Sequence, residues 1–196
     1  MYHQQRQDNL VLTGFMGTGK TTVGRLLSRS MVREFIDTDQ LIVERQGLSI
    51  AEIFRQFGEE VFRRLESEVA TELALRDNLV IATGGRMLLD PDNATRLSCK
   101  GHIFCLTASV DAIFQRIRQD GENNRPLLQG KDPKATITVL LREREPGYSH
   151  FLQIDTTGKS PQEAASALLK KFQALPVKGP KEGDETIDAN RPESSQ

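Results

Sequence analysis

Cysteine is scarce in this 196-residue chain, with two residues, Cys99 and Cys105, and neither sits in a CxxC or a Cys/His ligand spacing. A disulfide framework and a zinc site are therefore not indicated, and both are expected as structural thiols of a reducing cytoplasm. Net charge is nearly absent as well: 26 basic against 27 acidic residues leave −1, so bulk electrostatics make no case for nucleic acid or an acidic membrane as partner. Long apolar runs are missing too. The first eight residues are polar, without the apolar stretch a secretory signal needs, and no run approaches eighteen apolar residues. A soluble, cytoplasmic protein is expected. The three histidines, His3, His102 and His150, show no pairing for metal or nucleophilic chemistry, and no G-x-S-x-G context is present, which argues against a covalent hydrolase.

What is present is concentrated near the N-terminus. Gly14-Phe15-Met16-Gly17-Thr18-Gly19-Lys20-Thr21 is a complete G-x-x-x-x-G-K-[ST] element, preceded by an apolar run and followed by a stretch with helical periodicity. Glycines let the backbone curl so that N–H groups face inward, and the next helix adds its positive end. The loop is shaped for a nucleotide triphosphate, with Lys20 reaching the β and γ phosphates, Thr21 the magnesium ion, and Thr22 counted with the nucleotide-binding residues.

Short apolar runs at 10–13, 34–36, 79–83, 103–106 and 151–155 alternate with helix-patterned segments. This alternation predicts an α/β protein with a five-stranded parallel sheet covered by helices on both faces. Ser49-Ile50-Ala51-Glu52 and Ser160-Pro161-Gln162-Glu163 predict capping boxes that open helices, and Gly58 is expected to interrupt the first of these. Residues 1–175 read as one domain with a lid around 116–130. From Pro176 the chain is polar and rich in Pro, Gly, Glu and Ser, which predicts a disordered tail over 176–196.

Ligands of open parallel sheets gather at the carboxyl ends of the strands. That rule brings Lys20, the pair Asp37 and Asp39, and Thr83-Gly84-Gly85 to one crevice. An acidic pair two residues apart suits phosphoryl transfer, one carboxylate near magnesium and the other orienting or deprotonating an attacking hydroxyl. The same letters also suit a helix-capping turn. Arg63 and Glu66 lie one helical turn apart, so the acid can hold the guanidinium for a carboxylate ligand, although a solvated ion pair has the same spacing. Arg118, Arg125, Arg142 and Arg144 surround a polar segment that fits a lid neutralising a transferred phosphoryl group, or simply a charged loop and helix.

Taken together, GFMGTGKTTVGRLL, FIDTDQLIVERQGLSIAEIFRQFGEEVFRRLE, VIATGG, RPLL and R-x-P-x-Y at 144–148 resemble the shikimate kinases, small members of the P-loop nucleoside monophosphate kinase-like group. The resemblance covers residues 9–172. It implies ATP and shikimate as substrates, magnesium with the ATP, transfer of the γ-phosphate to the 3-hydroxyl of shikimate, and a cytoplasmic monomer. By the same resemblance, residues 14–22 with Arg118 and Arg125 bind nucleotide, Arg118 packing on adenine, while Thr21 and Asp37 serve the metal. Asp39, Arg63, Gly84, Gly85 and Arg144 hold shikimate, with Glu66 orienting Arg63. Lys20, Asp39 and Arg125 carry the chemistry.

Two positions depart from the family pattern. Arg86 stands where a third glycine is usual, and Gly147 where leucine is usual. Arg86 leaves two alternatives open, a kinase for another small hydroxylated acid such as gluconate and a non-catalytic nucleotide-binding paralogue.

Overall fold

A computed structural model describes residues 6–119 and 132–178. The five expected strands form at the expected places: β1 (Asn9–Gly14), β2 (Glu34–Asp37), β3 (Leu79–Ala82), β4 (Gly101–Thr107) and β5 (Leu152–Asp155). They pair in parallel in the order β2-β3-β1-β4-β5. Central β1 is buried along its whole length, which explains why it reads as an unbroken apolar run. Its alternate residues still serve two different cores. Val11 packs with Ile36, Ile53, Phe62, Val69 and Leu97 on one face, while Leu10 and Leu12 pack with Val23, Leu27, Leu168 and Phe172 on the other.

Seven α-helices accompany the sheet among the described residues: α1 (Lys20–Met31), α2 (Thr38–Gln46), α3 (Ile50–Leu75), α4 (Pro91–Lys100), α5 (Val110–Gln119), α6 (Pro133–Tyr148) and α7 (Pro161–Ala174). Both expected capping boxes form, Ser49 with Glu52 and Ser160 with Glu163. Gly58 breaks α3 at φ 84° and ψ 170°, re-aiming the second half of the helix that carries Arg63 and Glu66. Helix α2 has no apolar stripe to announce it, since Thr38 and Ile42 alone are buried; its start is fixed by the Asp37 carboxylate, which accepts from the amides of Asp39 and Gln40.

The end of the sheet opposite the phosphate loop is closed by a polar clamp. Arg6 donates to the carbonyls of Phe172, Leu175 and Pro176, and the Lys178 amide donates to buried Asp8. Pro176 to Lys178 are thus held on the domain, and the remainder of the expected tail lies outside the described residues. Among the described residues no helix is long and apolar enough to cross a membrane.

Candidate active site

The loop between β1 and α1 takes the path its glycines permit. Gly14, Gly17 and Gly19 have φ of 129°, 74° and 97°, and a Cβ at Gly14 would meet the Leu106 carbonyl at 2.3 Å. Gly19 forms the N-cap of α1, so the first N–H groups of that helix point into the loop. Lys20 folds back, its Nζ donating to the Gly14 and Phe15 carbonyls at 2.9 and 3.0 Å. Thr21 Oγ1 donates to Asp37 Oδ2 at 2.7 Å. Asp37 therefore caps α2 with one oxygen, as the capping reading expected, and meets Thr21 with the other.

A cleft of about 1040 Å³ runs from this loop across the ends of β1 and β3 to helix α3. That exceeds what one small acid needs and leaves room for a nucleotide beside it. Met16 to Thr22, Asp37, Asp39, Arg63, Gly84, Gly85 and Arg144 all line it, with Glu66, Arg86 and Arg116. Gly14 and Phe15 do not line it; their carbonyls accept from Lys20, which does.

The far end of the cleft is a cluster of carboxylates and guanidinium groups. Asp39 reaches it from the first turn of α2, Glu66 and Arg63 from α3, and Arg144 from α6. Burial, and then the neighbouring charge of Asp37, raise the Asp39 carboxyl above the ordinary range against the pull of Lys20 and Arg63. Glu66 is 1% exposed at its side chain and is pushed up to about 7 by burial, although Arg63 Nη1 donates to its Oε2 at 2.6 Å. Burial opposes the charge on Arg63, but the bonds to Glu66 and Glu59 outweigh it and hold the guanidinium protonated. Asp39 Oδ1 and Glu66 Oε1 are both buried and unpaired, and both face the space beside the Gly84 backbone.

Backbone forms the floor. The Gly84 amide donates to Thr38 Oγ1 at 2.9 Å, and Tyr148 donates its hydroxyl to the Gly85 carbonyl. Burial raises the Tyr148 phenol to about 12, so it remains a donor. Arg144 stacks over Phe15, with Cζ 5.0 Å from the ring centroid, and its Nη1 lies 3.8 Å from the point a Gly85 Cβ would take.

Arg86 follows these glycines at φ −109° and ψ −10°, a conformation open to any residue. Its Nη1 donates to Glu59 Oε1 at 2.9 Å, so the side chain lies along the rim. The space left at Gly147 is filled by Leu89, whose Cδ2 lies 2.6 Å from the position of an added Cβ.

One expected residue is not brought to the cleft. Arg118 lies over Phe114 on α5, with Cζ 5.6 Å from the ring centroid, and does not line the cleft. Arg125 and most of the expected lid lie outside the described residues. One residue escaped the sequence reading: Arg116 donates to the Gly17 carbonyl at 3.2 Å and to Thr156 Oγ1 and carbonyl at 3.0 and 2.6 Å, tying the phosphate loop to the segment after β5. Helical spacing marks Arg116 as one turn from Ile113, but its partners are contributed by distant segments.

A parallel sheet in this order, with a phosphate loop at the carboxyl end of its central strand and an acidic and basic acceptor end in the same cleft, defines a P-loop kinase of the α/β class, an ATP-dependent phosphotransferase. Comparison with known proteins narrows the class. The chain belongs to the shikimate kinase family, whose sequence pattern matches residues 16–173. It is 44% identical over 168 residues to the shikimate kinase of Thermodesulfovibrio yellowstonii, covering 85% of this chain and 96% of the relative. The shikimate kinase of Geobacter sulfurreducens is 44% identical over 161 residues, covering 82% and 88%. Among solved structures, a shikimate kinase from Acinetobacter baumannii in complex with shikimate superposes with a TM-score of 0.79 at 36% identity, covering 86% of this chain and 94% of that one. A gluconokinase from Sinorhizobium meliloti shares the fold at 15% identity and a TM-score of 0.54.

Proposed function

We propose that this chain transfers the γ-phosphate of ATP to the 3-hydroxyl of shikimate, with the donor held at residues 14–22 and the acceptor at the Asp39, Arg63, Gly84, Gly85 and Arg144 end of the cleft. The observation that carries this reading is the pair of buried, unpaired acceptors, Asp39 Oδ1 and Glu66 Oε1, beside two arginines: hydroxyl recognition next to carboxylate recognition. A hydroxylated monocarboxylate satisfies both at once.

Within this reading the backbone N–H groups of the phosphate loop and Lys20 hold the β and γ phosphates. Asp39 accepts the proton-bearing hydroxyl of the acceptor and aims its oxygen at the γ-phosphorus; its raised proton affinity suits it to take that proton as the bond forms. Arg63 and Arg144 fix the acceptor by its carboxylate. Alignment and charge neutralisation supply most of the acceleration, since phosphoryl transfer needs little covalent help from the protein. Thr21 Oγ1 and Asp37 Oδ2, two hard oxygen donors at the mouth of the loop, fit a magnesium ion. When bound, that ion neutralises charge on the β and γ phosphates. Arg125 and Arg118 remain assigned, by resemblance, to the transferred phosphate and the adenine. A monomer in the cytoplasm accommodates all of these roles.

A coupled ADP-release assay over shikimate, quinate and gluconate tests the assignment. Shikimate is expected to be preferred, and Lys20→Ala or Asp39→Asn to lower turnover by about 10³-fold or more. Preference for another acceptor, no acceptor-dependent ADP formation, or near-wild-type turnover in either variant would overturn it.

A further inference from the structure

Arg63 has five N–H donors, and three of them are engaged inside the chain. Nη1 donates to Glu66, while Nε and Nη2 both donate to Glu59 Oε1 at 3.2 and 2.9 Å. The last contact is the one an acceptor carboxylate would seek on a guanidinium edge, and that edge holds one carboxylate at a time. Glu59 also brings a negative charge to the place where an anionic ligand must dock. Yet Glu59 is weakly committed. Its side chain is 52% exposed, against 1% for Glu66, so moving it exposes no buried charge.

A second partner already holds the same oxygen. The same Oε1 accepts from Arg86 Nη1 at 2.9 Å, and Arg86 is the residue that replaces a family glycine on the rim of this cleft. A glycine there would remove this hydrogen-bonded partner and leave only the longer-range charge of Arg144 beside Arg63. Gly58, immediately before Glu59, breaks the helix at φ 84°, and Glu59 begins the segment after the break.

We propose that Glu59 gates the acceptor carboxylate site, covering Arg63 in the free enzyme and passing to Arg86 when an anionic acceptor docks, which makes Arg86 a specificity-determining residue of this chain. The gate favours anionic acceptors: a neutral analogue brings no carboxylate to replace Glu59 on Arg63. This inference rests on Arg63 being the acceptor's carboxylate clamp.

The test is a double-substitution cycle on the full chain, read as KM for shikimate at saturating ATP, with calorimetric shikimate titration as a second measurement. Glu59→Gln is expected to lower KM about two- to fivefold, the range for an exposed charge pair, and Arg86→Gly to raise it by a similar factor, both effects falling in KM rather than kcat. In the double variant the Arg86→Gly effect vanishes, because no charge remains to be relocated. With the methyl ester of shikimate, Glu59→Gln leaves KM within twofold of wild type. A KM that stays or rises in Glu59→Gln, or an Arg86→Gly effect that persists in the double variant, overturns the gate. Arg63→Lys separates the two readings: an unchanged shikimate KM there overturns the clamp itself, whereas a raised one with no response to Glu59→Gln overturns the gate alone.

Discussion

Asp39 and Glu66, from different helices, aim their carboxylates at one point above Gly84. A Cβ placed on that glycine would stand 2.5 Å from Asp39 Oδ1 and 2.8 Å from Glu66 Oε1. The missing side chain is what lets the two acidic groups approach the same point so closely.

Gly84→Ala is therefore expected to push both carboxylates out of place. KM for shikimate should rise or kcat fall by at least about tenfold, since small misplacements of a reacting pair are costly. Binding of ATP, measured by calorimetry, should change less than twofold because the phosphate loop is untouched. Equal losses for both substrates would count against this geometry.

Glu66 supplies a pH signature. Its folded value of about 7 lies above the ordinary 4.5, so the folded state binds the extra proton between those limits. Stability from this group is complete below about pH 4.5 and is lost as pH rises through 7, by an amount on the order of 3 kcal/mol. Asp39 is shifted in the same direction. Urea unfolding at pH 5 and pH 8 should show a drop in midpoint for the wild type that is markedly smaller in Glu66→Gln. An equal drop in both proteins would exclude Glu66 as its source.

Arg116→Ala removes three hydrogen bonds from a half-buried guanidinium, and a loss of about 1–3 kcal/mol in unfolding free energy is expected. Because one partner is the Gly17 carbonyl, KM for ATP should rise more than KM for shikimate. Unchanged ATP kinetics would reduce Arg116 to a purely structural tie.

Leu89 and Gly147 form a size-matched pair. Gly147→Leu, which restores the residue usual in the family, should destabilise the protein by about 1–3 kcal/mol through overpacking against Leu89. Adding Leu89→Ala should return most of that loss in thermal or urea unfolding. Independent, additive effects would rule out the proposed compensation.

The sequence alone determined the class of sheet, the phosphate loop and the two capping boxes, because each rests on local physics: apolar runs, backbone freedom at glycine, and side-chain oxygens within reach of nearby amides. It also determined which residue types meet at the strand ends, through the topology rule for parallel sheets. Helix α2 was illegible, having no apolar stripe. Arg116 was equally hidden, its partners lying 99 and 40 residues away in the chain. Tertiary structure alone decided how Arg86 is accommodated. Its backbone takes an ordinary φ, and its side chain finds a carboxylate on a helix 27 residues earlier in the chain, a contact that no local pattern encodes.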